Sequence, residues 1–337
     1  MTPPAPRGPL LEGFNLTKTF EARRRMGAPR ARVHALDDVS LTVAYRETLG
    51  LVGESGCGKS TAGRTLLRLL EPDAGSIWFD GEDITHAVPR HMRALRKRLQ
   101  IIFQDPYASL DPRMTVYETL AEVLRVHNVC PRREIPARVA ELLDTVGLPP
   151  SAAGRYPHAF SGGQRQRIGI ARSLSVAPDL IVADEAVSAL DVSIQAQILE
   201  LLARLREKRG LSYLFISHDL GVVRYFCQRA VVMYLGRIVE SGPVAALFDA
   251  PLHPYTRMLR QASPVPDPVQ ARATVQVTGE VPSPLAPPPG CHFHPRCPLA
   301  TAICRQERPA MRDAGGGRLV ACHLYREEGK EGQASFS

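Results

Sequence analysis

The chain has 337 residues and a formal net charge of +8, from 42 Lys and Arg against 34 Asp and Glu, with 44% hydrophobic residues. That is room for one large domain or two smaller ones with a well-buried core; the basic balance suits phosphate ligands, nucleic acid or an anionic membrane surface and selects none of them. No run of about 18 uncharged apolar residues occurs and MTPPAPRGPL lacks the pattern of a secretory signal, so neither a membrane span nor export is expected, and the cytosol is.

Proline is uneven: of 29, four lie in the first ten residues and fourteen between Pro243 and Pro309. The compact body is therefore expected over about Leu10 to Phe248. Early in it, the cluster Arg23-Arg24-Arg25 reads as a solvated loop, and Val39, Leu41 and Val43 alternate as in a half-buried strand. Thr48 to Val52 is a continuous apolar run, and it leads into Gly53-Glu54-Ser55-Gly56-Cys57-Gly58-Lys59-Ser60 followed by the helical stretch TAGRTLLRLL. This is the phosphate-binding pattern G-x-x-x-x-G-K-[ST] in the strand–loop–helix context it requires. Gly53, Ser55, Gly56, Cys57, Gly58 and Thr61 are the candidates for wrapping phosphate oxygens with backbone N–H groups at a helix N-terminus. Lys59 is placed to neutralise the β- and γ-phosphates, and the Ser60 hydroxyl to ligate Mg²⁺. Cys57 lies near that helix N-terminus and Lys59, both of which favour a thiolate, so it is expected to react with thiol reagents and to be protected by nucleotide; a packed, inert thiol is the alternative.

Further along, Ile77-Trp78-Phe79 before Asp80-Gly81 predicts a hairpin, which with the first strand suggests a small antiparallel sheet. Gln100 to Phe103, Leu180 to Ala183 and Tyr213 to Ser217 are further apolar runs separated by helical patterns, as in the buried parallel strands of an α/β core. Between them, about Val116 to Leu148 has apolar residues at helical spacing and predicts a helical insert. In Phe160-Ser161-Gly162-Gly163-Gln164, Ser161 can cap a helix and the two glycines permit close backbone approach, which reads either as a helix cap alone or as a second helix N-terminus aimed at a phosphate. The run Leu180 to Ala183 ends in Asp184-Glu185: Asp184 is placed to hold the metal, and Glu185 to accept a proton from an attacking water.

These motifs in this order resemble the ABC ATPases, whose LSGGQ signature is similar to Phe160–Gln164 with Phe in the Leu position. The implied fold is α/β: a P-loop, RecA-like core with an antiparallel β subdomain, a helical subdomain over about 105–160 and, here, a small Cys-rich C-terminal extension. The resemblance further implies that Gln104, ending QIIFQ, senses Mg²⁺ and the γ-phosphate, and that Asp191, in Ser188-Ala189-Leu190-Asp191, contacts the opposite subunit. It implies that His218, in FISHD, contacts the γ-phosphate and that Phe20, in NLTKTF, stacks on adenine. Ala186 stands where the family often has Pro, which removes a rigid turn and no chemical group. One phosphate loop and one signature make two half-sites, so the family pattern implies a dimer.

FQDPYASLDPRMTV, DEAVSALDVSIQAQILELL and PLHPYTRMLRQASP followed by GCHFHPRCPLA look like the ATPase subunits of peptide-family importers, and STAGRTLLRLLEPDAGSIWFDGEDI like the F-type subunit of dipeptide and oligopeptide systems. The resemblance implies an ATPase at the cytoplasmic face of the inner membrane, a paralogous ATPase as heterodimer partner, two membrane permeases and a periplasmic or extracellular solute-binding protein. Nickel and glutathione importers share the pattern. A soluble ABC ATPase acting on nucleic acid or ribosomes is the other reading, but the fused cassettes or inserted coiled coils of such proteins are absent, and no nucleic acid partner is expected.

The cassette is expected over 1–250, a Pro-rich linker or wrap over 251–290, a Cys-rich unit over 291–325 and a disordered tail over 326–337. Cys291, Cys297, Cys304 and Cys322 are spaced C-x5-C-x6-C-x17-C, without the tight pairs zinc prefers. Four cysteine ligands suit a [4Fe–4S] cluster, with which the similar importer ATPases are associated; a zinc site, or free or disulfide cysteines, are the alternatives. His292, His294 and His323 are expected at the surface or behind the ligands. Nothing in the sequence places this unit near the nucleotide.

Overall fold

The computed structural model describes residues 8–21, 32–105, 107, 109–262 and 280–325. The arginine cluster at 23–25, part of the proline-rich segment (263–279) and the tail at 326–337 lie outside the described residues.

In chain order the strands are β1 (Leu11–Glu21), β2 (Arg32–Val43), β3 (Thr48–Val52), β4 (Ala74–Phe79), β5 (Glu82–Asp83), β6 (Leu99–Ile102), β7 (Leu180–Asp184), β8 (Ser212–Ser217), β9 (Arg229–Tyr234), β10 (Arg237–Pro243), β11 (Arg312–Asp313) and β12 (Leu319–Val320). They form two sheets: a four-stranded one in the order β2-β1-β4-β5, and an eight-stranded one in the order β11-β12-β10-β9-β3-β8-β7-β6. The first is antiparallel throughout, as expected. Its β4–β5 turn is Asp80-Gly81 with φ of +54° and +79°, the left-handed pair that a two-residue hairpin turn demands.

The four apolar runs predicted as parallel strands are β3, β6, β7 and β8, and each pairs in parallel with its neighbour. They read as continuous apolar runs because both faces are covered. Leu180, Val182, Leu214 and Ile216 pack with Leu41, Val43 and Phe79 of the antiparallel sheet and with Leu66 of helix α1 (Lys59–Leu66). Ile181, Ala183, Tyr213 and Phe215 face the other layer, a core shared with the helices beyond. That layer includes the helical insert, α3 (Val116–Val126) and α4 (Ile135–Thr145), together with α5 (Gly162–Leu174) and α6 (Val192–Arg209). The short α2 (Pro89–Leu95) lies on the antiparallel-sheet side through Met92 and Leu95.

β1 is interrupted by register shifts and β9–β10 is a hairpin through Leu235-Gly236, with φ of +42° and +78°. Helix α7 (Leu220–Phe226) lies between β8 and β9, and after β10 come α8 (Val244–Asp249), α9 (Pro254–Ala262) and α10 (Ala302–Gln306). Pro254 opens α9, where its missing N–H costs nothing.

The cysteine-bearing segment does not stand apart. β12 joins the eight-stranded sheet, pairing Val320 with Glu240 and Leu319 with Ser241. Glu240 is fully buried and satisfied by this C-terminal layer: it accepts the N–H groups of Leu252 and His253 at 2.9 Å and Arg318 at 3.2 Å. Phe293 is sunk among Tyr234, Tyr255 and His253, with ring centroids 5.2, 5.4 and 5.7 Å away. A segment too short to bury its own core borrows that of the cassette.

Candidate functional site

The strand order places the site. β3, β8, β7 and β6 lie side by side and parallel, so their C-terminal ends deliver the phosphate loop, His218, Asp184-Glu185 and Gln104 to one edge. The crevice beyond strand C-termini is where open α/β sheets bind ligands.

In the phosphate loop, Gly56 and Gly58 have φ of +78° and +107°. A Cβ on Gly58 would lie 2.2 Å from the Ala35 carbonyl oxygen, so β2 presses on the loop closely enough to require glycine. No side chain caps α1, which leaves its first N–H groups to an anion. Lys59 is buried, and its ammonium donates to the carbonyls of Gly53 at 2.7 Å and Glu54 at 2.9 Å, which holds it inside the loop. The Ser60 hydroxyl donates to Asp184 Oδ1 at 2.7 Å. Asp184 Oδ2 is buried without a hydrogen bond, with Arg64 at 3.5 Å. Two hard oxygen donors side by side, one carboxylate oxygen still unsatisfied, fit Mg²⁺.

Gln104 Nε2 donates to Glu185 Oε2 at 2.8 Å, and His218 Nδ1 lies 3.5 Å from the same oxygen. Glu185 itself has φ of +48°, a left-handed conformation that costs a non-glycine residue about 1–3 kcal/mol. Its N–H is anchored to the Ile216 carbonyl at 3.1 Å. Strain at this residue, over-determined by its neighbours, fixes where the carboxylate points.

Ser161 caps α5 in a reciprocal box with Gln164: Ser161 Oγ accepts the Gln164 N–H at 3.3 Å and Gln164 Oε1 accepts the Ser161 N–H at 3.1 Å. A Cβ on Gly163 would lie 2.4 Å from Ile194 of α6, and one on Gly162 3.5 Å from Leu190, so the signature packs on the segment around Asp191. Asp191 caps α6, accepting from the Ile194 N–H at 2.9 Å and Ser193 Oγ at 2.8 Å, and these bonds lower its carboxyl pKa. No hydrogen bond among the described residues joins Ser161–Gln164 to the phosphate loop. Phe20 is exposed on β1 opposite Val33, two residues from the Ala35 that presses on Gly58.

Two expectations are corrected. Burial dominates at Cys57 and raises its thiol pKa; the attraction of Lys59, 3.9 Å away and turned onto carbonyls, is smaller. Cys57 is thus a packed thiol rather than a reactive one. The cysteine-bearing unit, in turn, reaches the phosphate loop. Arg296, between Cys291 and Cys297, pairs with Glu54, and Tyr255 of α9 accepts the Glu54 N–H at 2.8 Å. Neither contact has a motif or a spacing that points to it in the sequence. His292, for which surface and buried places were both open, is buried: Nδ1 meets the Leu235 carbonyl at 3.0 Å and burial lowers its pKa to about 4.

All seven cysteines are free thiols. Cys291, Cys297, Cys304 and Cys322 line one small cavity with His253 and Phe293. Burial raises the pKa of Cys291 and Cys297, and takes Cys322 to about 12. Among the described residues no group of three or more His, Cys, Asp or Glu side chains is arranged to hold a metal ion. The donor chemistry of four unpaired thiols around one space nevertheless suits a soft metal centre.

Comparison with known proteins agrees with this geometry. Residues 36–188 match the family described as "ABC transporter", and residues 239–304 that described as "Oligopeptide/dipeptide transporter, C-terminal region". The oligopeptide transport ATP-binding protein AppF of Bacillus subtilis is 53% identical over 299 residues, covering 87% of this chain and 90% of its own. The "probable peptide ABC transporter ATP-binding protein y4tS" of Sinorhizobium fredii is 53% identical over 292 residues, 87% of this chain and 83% of that one. Among solved structures, the dimeric post-hydrolysis state of the ATP-binding cassette MJ0796 bound to ADP and Pi superposes with a TM-score of 0.61 at 28% identity, over 69% of this chain and 98% of that one.

Proposed function

The chain belongs to the ABC transporter ATP-binding proteins, and on that premise we propose that it is the ATP-hydrolysing subunit that powers peptide import through a membrane transporter. The observation that carries the catalytic part is the convergence of Lys59, Ser60, Asp184, Gln104, Glu185 and His218 at the ends of four adjacent parallel strands. The peptide part is supported by the match of residues 239–304 and by the relatives. No helix among the described residues is long and apolar enough to cross a membrane. The proposed assembly has a paralogous ATPase, two permeases and a solute-binding protein, with this chain peripheral at the cytoplasmic face.

In this reading the Lys59 ammonium exchanges its two loop carbonyls for phosphate oxygens. Ser60 and Asp184 hold Mg²⁺, which when bound screens the phosphate charge. Glu185 accepts the proton of the attacking water, with Gln104 holding its Oε2 and His218 placed toward the γ-phosphate. Ser161, Gly162 and Gly163 offer the N-terminus of α5 to the nucleotide of the partner chain, a role open to them because no hydrogen bond among the described residues ties them to their own phosphate loop. Phe20, beside the strand that presses on Gly58, is the proposed adenine platform.

The native membrane complex purified through this chain is expected to contain a second, different ATP-binding chain and two permeases. Its ATP turnover should rise when peptide-loaded binding protein is added. Recovery with ribosomes or nucleic acid instead, and no response to peptide, would replace the transport reading with the soluble one.

Cys291, Cys297, Cys304 and Cys322 are proposed to hold a [4Fe–4S] cluster, supported by the four free thiols around one cavity. Anaerobically prepared protein should be brown, with about four iron and four sulfide per chain. Changing any one of the four cysteines to Ser should remove the colour and expose residues 291–325 to protease, because metal binding and folding of so small a unit are coupled. A colourless anaerobic preparation with stoichiometric zinc would assign zinc instead, and neither metal with four alkylatable thiols would end the metal proposal.

A further inference from the structure

Glu54 is the second residue of the phosphate loop, and its N–H and its carboxylate are both held from outside the loop. Its N–H donates to Tyr255 Oη at 2.8 Å and its carbonyl accepts from Lys59 Nζ at 2.9 Å. Its carboxylate takes both ends of the Arg296 guanidinium, Nη1 at 2.7 Å and Nη2 at 3.0 Å. Such a fork fixes an orientation as well as a distance. The Arg296 side chain is only 3% exposed and Glu54 26%, so the arginine is committed to this pair while the carboxylate stays at the rim of the loop. Arg296 is itself wedged by its surroundings: Tyr234 Oη lies 3.5 Å from Nη1, and the Phe293 ring centroid is 5.9 Å from the guanidinium carbon. A carboxylate left unpaired at the rim of a loop built for phosphate repels the ligand.

We propose that Arg296 is a positioning residue of the nucleotide site: it neutralises and pins Glu54, and thereby makes the cysteine-bearing unit part of the ATP site. The proposal rests on the reading that this loop binds ATP. It deepens that reading by assigning one half of the loop's support to a segment more than two hundred residues downstream.

The test is Mg-ATP binding by the full-length chain, measured calorimetrically, with thermal unfolding of each nucleotide-free variant alongside. Arg296→Met should weaken binding by roughly tenfold or more, since the partner that neutralises the rim carboxylate is removed. Arg296→Lys should fall between, because it keeps the charge and loses the fork. Adding Glu54→Gln to Arg296→Met should bring affinity back to within about threefold of wild type, since the repelling charge is gone. General loosening of the fold would not produce that recovery. Wild-type affinity in Arg296→Met, or a double variant as weak as the single one, overturns the proposal. Lys59→Ala reports on the underlying reading: unchanged affinity there would place ATP elsewhere. Lost affinity in Lys59→Ala beside unchanged affinity in Arg296→Met would overturn the clamp alone.

Discussion

Glu185→Gln is expected to keep Mg-ATP binding and to lower hydrolysis by about 10²–10⁴-fold, the usual contribution of a positioned proton acceptor. The amide is isosteric, so it can still accept the hydrogen bond that Gln104 Nε2 gives to Oε2 at 2.8 Å. It cannot take a proton. The left-handed backbone at Glu185 and its N–H bond to Ile216 are untouched by the change, so the fold around the site should hold. In the proposed reading binding depends on Lys59 and Ser60, neither of which touches Oε2. The variant should therefore accumulate as an ATP-bound closed dimer. The assay is single-turnover hydrolysis in the assembled transporter with the proposed partner ATPase silenced by the equivalent change. Near-normal turnover there would remove Glu185 from the proton-acceptor role.

The sequence made the catalytic edge legible because motif and burial pattern coincide there. Leu180 to Ala183 and Tyr213 to Ile216 are apolar without interruption, and both faces of β7 and β8 are covered. Each ends in a chemistry-bearing residue, so strand and site are read together. β1 was missed for a physical reason: its register shifts break the alternation that marks a strand. β9 and β10 were not resolved as a hairpin, although Leu235-Gly236 supplies its turn. Cys57 shows a different failure. Its neighbours in sequence, a lysine and a helix start, argue for a thiolate, yet its side chain turns inward and desolvation outweighs them. Arg296 and Tyr255 lay beyond reach because their partner, Glu54, is two hundred or more residues away and no spacing rule connects them.

Phe293→Ala should cost about 3–5 kcal/mol of stability, the range for deleting a fully buried aromatic ring. Phe293 is 2% exposed and edge-on to Tyr234 at 90°. It fills the space between β9, α9 and the cysteine-bearing unit, so its loss leaves a cavity where three elements meet. For a chain of this size the midpoint of thermal unfolding should fall by roughly 6 °C or more, and residues 280–325 should become the first site of proteolysis. Nucleotide affinity should fall as well, because Tyr255, whose ring centroid lies 5.4 Å from that of Phe293, carries the hydroxyl that holds the Glu54 N–H. Tyr255→Phe keeps the ring packing and removes only that acceptor, so it should cost about 1 kcal/mol and leave the protease pattern unchanged. An unfolding midpoint and cleavage pattern in Phe293→Ala equal to those of the wild type would show that the C-terminal unit does not depend on the cassette core, and the support it lends to the phosphate loop would have to come from the Arg296–Glu54 pair alone.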